Sequence, residues 1–260
     1  MGLADLHIHT IHSWDGTCSV SAILKQAAHY AGMDVIAITD HDEIRGALEA
    51  MTLAPNYGLQ VVPGIEVSTA EGHVLALYIE ERIPRGLSLV DTVLRVGDLG
   101  GLCIAAHPMA RGTSSLSAAA IRSALNDPGA AKILVGIEAF NGGLVYRTDR
   151  TAVQELAQEL PLAHVANSDA HLLHRVGQGA SFFPGSTAEQ LRKALIKRQT
   201  RPIRCEQLGL LGLISGWVPS FLLRRAGWVA WNPNPDGPIR FGRTRRVTAE
   251  SADNAEFIYR

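Results

Sequence analysis

Short apolar runs recur along the chain, and several of them lead into histidine or a carboxylate. The first run, Leu3–His9, carries two imidazoles one residue apart. Alternate side chains of an extended backbone share a face, so His7 and His9 are predicted to point the same way. Histidine is the commonest metal ligand among side chains, which makes the pair a candidate for binding a divalent ion. A single pair of this kind is more often two solvent-exposed histidines, and the rest of the chain decides between the two readings.

The same residue types return after or within the later apolar runs. In chain order they are Asp40 and His41, Glu66 with His73, His107, and Asp169 with His171. Acids and imidazoles beside that many separate runs are improbable by chance. The pattern therefore favours a metal site over scattered surface histidines.

Seven strand-like runs are predicted, most of them separated by helix-like segments. They cover approximately residues 3–9, 35–39, 61–67, 72–79, 102–106, 133–139 and 163–167. Such alternation is typical of a parallel barrel or a doubly wound sheet. Only a closed barrel brings the ends of many different strands around one mouth. We therefore predict an α/β fold, a TIM-like (β/α)7 barrel with its active site at the C-terminal ends of the strands.

Composition limits the class of protein and its partners. The chain has 260 residues, 47% of them hydrophobic, which is enough for one large domain with a full core. The formal net charge of −1 gives no global attraction to duplex nucleic acid or anionic lipid. Three widely separated cysteines, Cys18, Cys103 and Cys205, argue against a disulfide framework and for a reducing compartment. No secretory signal is evident at the N-terminus, so we expect a cytoplasmic protein. The sequence does not indicate its oligomeric state.

The C-terminal part has a different character from residues 1–205. Residues 208–223 are uncharged and largely apolar, a stretch shorter than the roughly 20 residues that span a bilayer, and no stable membrane span is expected. We predict that residues 206–260 form an apolar helix and a polar tail, with the helix packed on the barrel or at a subunit interface. A membrane-surface helix flanked by Arg224 and Arg225 is the alternative.

The candidate ligands are imidazoles and carboxylates, without a thiolate. They are His7, His9, Asp15, His41, Glu66, His73, His107, Asp169 and His171. A catalytic zinc uses about three protein ligands, so this set indicates two to three ions with a bridging carboxylate, for which Glu66 is the natural choice. The donors fit Zn, Mn or Fe without choosing among them. Close ions that share a hydroxide create a nucleophile and stabilise in-line displacement at phosphorus.

Together these residues form motifs that resemble those of the PHP (polymerase and histidinol phosphatase) family. The similarity extends over roughly residues 3–200. Its segments are Asp5–Thr10 with Ser13, Asp15 and Gly16, then Thr39–Asp42, Pro63–Val67, Gly72–Leu75, Ala106–Pro108 and Ser168–His171.

The resemblance implies a distorted seven-stranded barrel with a trinuclear metal centre and phosphoesterase activity. Three ligand sets follow from it: His7, His9, Glu66 and Asp169; Glu66, His73 and His107; and Asp15, His41 and His171. Some family members have histidine where this chain has Asp15. Within the set, Glu66, Asp169 and His41 are the expected catalytic residues.

Three further residues are candidates for substrate binding. Arg111 and Arg175 each follow a ligand histidine by four residues, where a guanidinium can bind a phosphate bidentately. His12 lies between ligand positions and is a candidate proton donor to the leaving group. The predicted reaction is hydrolysis of a phosphomonoester, in a small metabolite, nucleotide or oligonucleotide end, by a metal-bridging hydroxide. The alternatives are a histidinol-phosphatase-like enzyme and a non-catalytic metal-binding domain.

Overall fold

The computed structural model describes residues 1–143 and 149–204, together with Pro219 and Leu222. Within that part the strands are β1 Gly2–Asp5, β2 Val35–Ile38, β3 Gln60–Ser68, β4 His73–Leu77, β5 Leu102–Ala105, β6 Leu134–Asn141, β7 Ala163–Asn167, β8 Gly179–Phe183 and β9 Arg201–Arg204. The α-helices are α1 Val20–Lys25, α2 Arg45–Leu53, α3 Leu89–Asp98, α4 Ala118–Asn126, α5 Ala130–Ile133, α6 Arg150–Glu159 and α7 Ala188–Ile196. A π-helical segment, Gln26–Ala31, extends α1.

All nine strands belong to one sheet, in the order β7-β6-β5-β4-β3-β2-β1-β8-β9. Its two edges approach each other, because β7 lies beside β8 and β9. The Ser181 hydroxyl joins β8 to β7, accepting from Ala166 N at 2.9 Å and donating to Ala166 O at 3.2 Å. The sheet is therefore a nearly closed barrel, and the predicted α/β TIM-like fold is confirmed.

The strand directions depart from a regular parallel barrel. β4 is antiparallel to both β3 and β5, and β8 is antiparallel to β1 and β9. The connection from Ser68 to His73 is too short for a crossover helix, so β3 and β4 form a hairpin. All seven predicted strands are present, and β8 and β9, which the sequence pattern did not indicate, complete the sheet.

The antiparallel direction of β4 matters for the site. Ser68 at the end of β3 pairs with His73 at the start of β4. The amino end of β4 therefore lies beside the carboxyl ends of the parallel strands, and His73 reaches the same mouth as the other candidate ligands.

Two apolar layers hold the barrel together. Successive side chains of β2 point alternately into the two layers. Val35 and Ala37 belong to a cluster shared by most strands, whereas Ile36 and Ile38 pack with α1 and α2. The first cluster also receives α7, which is anchored beside the start of β3 by a hydrogen bond from Ala188 N to Gln60 Oε1 of 2.6 Å. The end of the barrel opposite the mouth is thus closed by apolar packing.

Several predictions concern residues outside this description. Residues 206–260 fall there apart from Pro219 and Leu222, so the division at residue 205 and the packed C-terminal helix remain predictions. Cys205 also falls outside, while Cys18 and Cys103 are buried thiols not joined in a disulfide. Among the residues described, none of the helices has the length and apolar character needed to cross a membrane.

Candidate metal centre

Backbone pairing beyond the strand ends assembles the predicted ligands at the mouth of the barrel. Ile8 forms a parallel bridge with Ala170, in which His9 N donates to Ala170 O at 3.0 Å. A second parallel bridge joins His41 to Glu66. The two bridges bring residues from the beginning, the first third and the end of the barrel sequence together, and all nine predicted ligands meet in one cluster.

Glu66 lies at the centre of this cluster and is 1% exposed. Its Oε1 is 2.9 Å from His73 Nδ1 and 2.8 Å from His107 Nε2. Its Oε2 faces three other imidazoles, at 3.1 Å from His7 Nε2, 3.3 Å from His9 Nε2 and 3.1 Å from His41 Nδ1. Each oxygen of the carboxylate thus faces its own set of nitrogens, which is the arrangement a bridging ligand needs.

Two aspartates complete the cluster on either side of Glu66. Asp169 Oδ1 lies 3.2 Å from His9 Nε2 and 3.5 Å from His7 Nε2. Asp15 Oδ2 lies 2.8 Å from His171 Nε2 and 3.4 Å from His41 Nε2. Asp169 Oδ1 also lies 3.6 Å from His171 Nδ1. Each aspartate therefore faces two or three imidazoles, so carboxylate oxygens and imidazole nitrogens alternate across the cluster.

The donor atoms fit divalent ions. In the part of the chain described, His7 Nε2, His9 Nε2, His73 Nδ1 and both carboxylate oxygens of Asp169 are buried and make no hydrogen bond. Buried polar atoms in proteins normally have a hydrogen-bond partner, so several that lie close together without a hydrogen bond suit a bound cation. Four groups of three or four ligand atoms lie within 4.8 Å of one another: His9, Asp15, His41 and His171; His7, His9 and Glu66; His7, His107 and Asp169; and His41, Glu66 and His73.

The electrostatics of the cluster favour positive charge. Burial alone lowers the pKa of an imidazole, but the neighbouring Asp169 and Glu66 raise the pKa of His9 to about 10. The same carboxylates, with Glu138, raise the pKa of His7 well above its usual value against its burial. Burial works in the opposite sense on Glu66, yet the surrounding imidazoles hold its pKa well below the usual range. The buried carboxylates of the cluster thus favour the binding of positive charge, either as protons on the imidazoles or as divalent cations.

Glu138 of β6 is the most important residue that the sequence pattern did not reveal. It is 1% exposed and lies behind the cluster, where Oε1 is 2.9 Å from His7 Nδ1. Its other oxygen accepts hydrogen bonds from His107 N at 2.6 Å and from Asn141 Nδ2 at 2.7 Å, while Asn167 Nδ2 donates to Oε1 at 2.8 Å. Glu138 therefore orients one candidate ligand through its ring and another through its backbone.

Other imidazoles are oriented through their second ring nitrogen. His9 Nδ1 lies 3.3 Å from Ser13 Oγ, and His107 Nδ1 lies 3.1 Å from Ser115 Oγ. His171 Nδ1 lies 3.0 Å from the carbonyl oxygen of Asp169. Such outer contacts fix the tautomer and the direction of a ligating ring.

The backbone at the cluster is held in sparsely populated conformations. His107 has φ of 27° and Asp169 has φ of 48°, in the left-handed region that residues other than glycine rarely adopt. The buried Asp5 carboxylate supports the segment before Asp169, because it accepts hydrogen bonds from Ser168 N at 3.0 Å and Gly177 N at 2.9 Å. Burial raises the pKa of Asp5 to about 6.

The three candidate substrate-binding residues lie in unlike surroundings. Arg111 is exposed in the segment that follows His107. Arg175 is 3% exposed and donates from Nη2 to the carbonyl oxygen of Gly142, and burial lowers the pKa of its guanidinium. His12 Nε2 lies 2.8 Å from Glu49 Oε2 on α2. Of the three, Arg111 has the surroundings most suited to binding a phosphate from solvent.

Comparisons with known proteins agree with this geometry. Residues 5–191 match the model of the PHP domain family. An uncharacterized protein of Methanocaldococcus jannaschii is 37% identical over 172 residues, which are 61% of this chain and 93% of the relative. A phosphoribosyl 1,2-cyclic phosphate 1,2-diphosphodiesterase of Eggerthella lenta is 37% identical over 98 residues, 35% of this chain and 37% of that protein.

A solved structure shares the fold. It is a two-domain protein of Bacteroides vulgatus, named as containing a predicted PHP-like metal-dependent phosphoesterase. The TM-score is 0.65 at 21% identity, over 82% of this chain and 69% of that one. At this level of identity the similarity concerns the architecture alone.

Proposed function

The chain belongs to the PHP domain family, and on that premise we propose that it is a metal-dependent phosphoesterase acting on a phosphomonoester. The substrate class comprises small phosphorylated metabolites, nucleotides and oligonucleotide ends. One observation carries the proposal: the two buried oxygens of Glu66 face separate sets of imidazoles, as a carboxylate shared by two ions would.

The proposed ligand sets are those that the family motifs imply, and the distances support them. His7 and His9 lie near Oε2 of Glu66 and Oδ1 of Asp169. His73 and His107 lie near Oε1 of Glu66, and His41 and His171 lie near Oδ2 of Asp15. Two to three divalent ions held there, of Zn, Mn or Fe, would supply Lewis acidity that activates water and neutralises phosphoryl charge.

Residues of the chain would perform the remaining tasks. Glu66 and Asp169 would supply the negative charge that holds the ions, and His41 lies near both Glu66 and Asp15 through its two ring nitrogens. Arg111 is proposed to bind the substrate phosphate through charge-assisted hydrogen bonds. The roles proposed for Arg175 and His12 have less support, because each already contacts another group of the protein.

A phosphodiester is the second candidate substrate. The observation in its favour is the Eggerthella lenta relative, whose name describes cleavage of a cyclic phosphodiester. The match spans little more than a third of that protein, so it bears on the shared barrel segment and not on a particular substrate.

Metal analysis and a substrate panel test the proposal together. Protein purified without chelator is expected to contain two to three transition-metal ions per chain and to lose them together with its activity on strong chelation. The panel compares a mononucleotide, a sugar phosphate and an internal dinucleotide diester, with Mn or Zn supplied. Less than one ion per chain, or no turnover of a phosphomonoester, would contradict the proposal.

A further inference from the structure

We propose that Trp14 is a specificity-determining residue that stacks on an aromatic base of the substrate, so that the preferred phosphomonoester is a nucleotide. The inference rests on the proposed function, because it places the base of a substrate whose phosphate is bound at the cluster. It adds a substrate class that the metal ligands by themselves do not select.

The first observation is the exposure and position of the indole. Trp14 is 63% exposed, and in the ranges 1–143 and 149–204 it is the one exposed residue among tryptophan, tyrosine and phenylalanine. Single exposed apolar residues are common on protein surfaces, so exposure alone assigns nothing. This one immediately precedes Asp15, and its ring is stacked on that of His41 with centroids 5.7 Å apart and planes 24° apart. The indole therefore lies at the rim of the candidate metal centre.

The second observation is that the segment carrying Trp14 is held in place on both sides. The Ser13 hydroxyl donates to Asp15 Oδ1 at 2.7 Å and accepts from His41 N at 3.3 Å. A hydrogen bond of 2.9 Å from Ile11 N to Cys18 O closes the loop. A side chain at Gly16 would collide with the carbonyl of Thr10, so the turn after Asp15 requires glycine. An aromatic ring on such a support loses little conformational entropy when a ligand stacks on it.

The chemistry of indole identifies the partner. Every nucleobase presents a flat π-surface, and stacking on an aromatic side chain contributes about 1–3 kcal/mol per base without selecting a base sequence. A phosphate bound at the cluster would place the rest of the substrate at the mouth, where Trp14 lies beside His41. A nucleoside monophosphate or a terminal nucleotide combines both recognition elements, whereas a sugar phosphate offers only one.

The test compares Trp14→Ala and Trp14→Phe with the wild type on two substrates that differ in the base. Adenosine 5′-monophosphate and ribose 5-phosphate carry the same phosphomonoester on the same sugar carbon. We expect Trp14→Ala to raise KM for the nucleotide by about tenfold and to lower kcat/KM for ribose 5-phosphate several-fold less. Trp14→Phe keeps a stacking ring and is expected to retain most of the preference for the nucleotide.

Fluorescence supplies a reading that does not depend on turnover. Titration of the metal-loaded wild type with a phosphonate analogue of adenosine 5′-monophosphate, whose phosphorus–carbon bond resists hydrolysis, is expected to quench tryptophan emission, and the quench should disappear in Trp14→Phe. Equal losses on both substrates in Trp14→Ala would overturn the inference, since Trp14 would then act through His41 alone. Absence of turnover on both substrates would refute the proposed function, whereas turnover of the nucleotide without the Trp14-dependent quench would refute base stacking.

Discussion

The two sides of the candidate metal centre differ in how firmly the protein holds them. On the inner side, His7, His9, Glu66, His107 and Asp169 are 0–1% exposed. On the outer side, Asp15 and His171 are 6–7% exposed, and His41 lies with them under Trp14. The inner side is backed by Glu138, while Asp15 of the outer side is supported by a serine of its own loop.

This difference suggests a division of labour between the two sides. Buried, oriented ligands lose little freedom on binding an ion and exclude water that would compete for it. More exposed ligands allow ligand exchange and contact with substrate. We therefore expect ions on the inner side to be retained during purification and the ion on the outer side to exchange more readily.

The most severe test of the comparison is removal of the shared carboxylate. Glu66→Ala is expected to weaken the binding of the ions on both sides of Glu66 at once. It should lower kcat/KM by more than about 100-fold, which exceeds the effect of losing a residue that only orients a ligand. Elemental analysis and steady-state kinetics measure the two effects. Near-normal metal content and turnover would show that Glu66 does not bridge.

The second test removes the support behind the inner side. Glu138→Gln preserves the shape of the side chain but replaces one carboxylate oxygen by an amide nitrogen. At Oε2 that nitrogen would face the donors His107 N and Asn141 Nδ2, and at Oε1 it would face Asn167 Nδ2. We expect metal affinity or activity to fall by about 10–100-fold, as for other partners of metal ligands. Glu159→Gln, at an exposed pair with Arg122, is the matched control and should leave metal affinity unchanged. Unaltered metal affinity in Glu138→Gln would show that the orientation of the inner ligands does not depend on the Glu138 carboxylate.

The sequence was most informative where ligands follow apolar runs. His7, His41 and His107 each come after a buried strand, and the edge of a barrel necessarily collects such residues. Their positions therefore follow from strand order without knowledge of any contact. His73 reaches the mouth for a reason that the predicted parallel barrel did not contain, since the short connection after Ser68 turns β4 back toward the mouth.

Residues whose roles arise only from tertiary contacts were missed. Glu138 lies within the predicted strand over residues 133–139, where a single acid among apolar residues gives no indication of its partners. The available indication was a carboxylate within a strand predicted to be buried. Such a carboxylate requires partners, because burial of an isolated charge is costly. β8 is built mainly from small residues and phenylalanine, and β9 contains Pro202, so neither shows a two-residue alternation.

A milder substitution addresses the outer side alone. Asp15→Asn keeps the size of the side chain but removes the charge facing His41 and His171. We expect loss of about one ion per chain, retention of the others, and a decrease in kcat/KM of about tenfold. Metal content measured after dialysis is the decisive reading, since loss of all ions together would show that the two sides do not bind independently.

The smallest effect is expected at His12, beside the outer side. Its contact with Glu49 is a partly exposed pair, which typically contributes 0–1 kcal/mol. His12→Ala is therefore expected to change kcat/KM for a phosphomonoester by less than about threefold and to leave metal content intact. A larger loss, concentrated in substrates with a poor leaving group, would instead support proton donation by His12.

The parallel bridge between Ile8 and Ala170 has a consequence for how long the folded chain persists. It places Asp15 against His171, 156 positions away along the chain, so an ion bound there would act as a removable cross-link between the two ends of the barrel sequence. Ligands that meet only in the folded chain couple metal binding to folding. Metal shortage would then shorten the lifetime of the folded chain, and the amount of protein would fall along with its turnover rate.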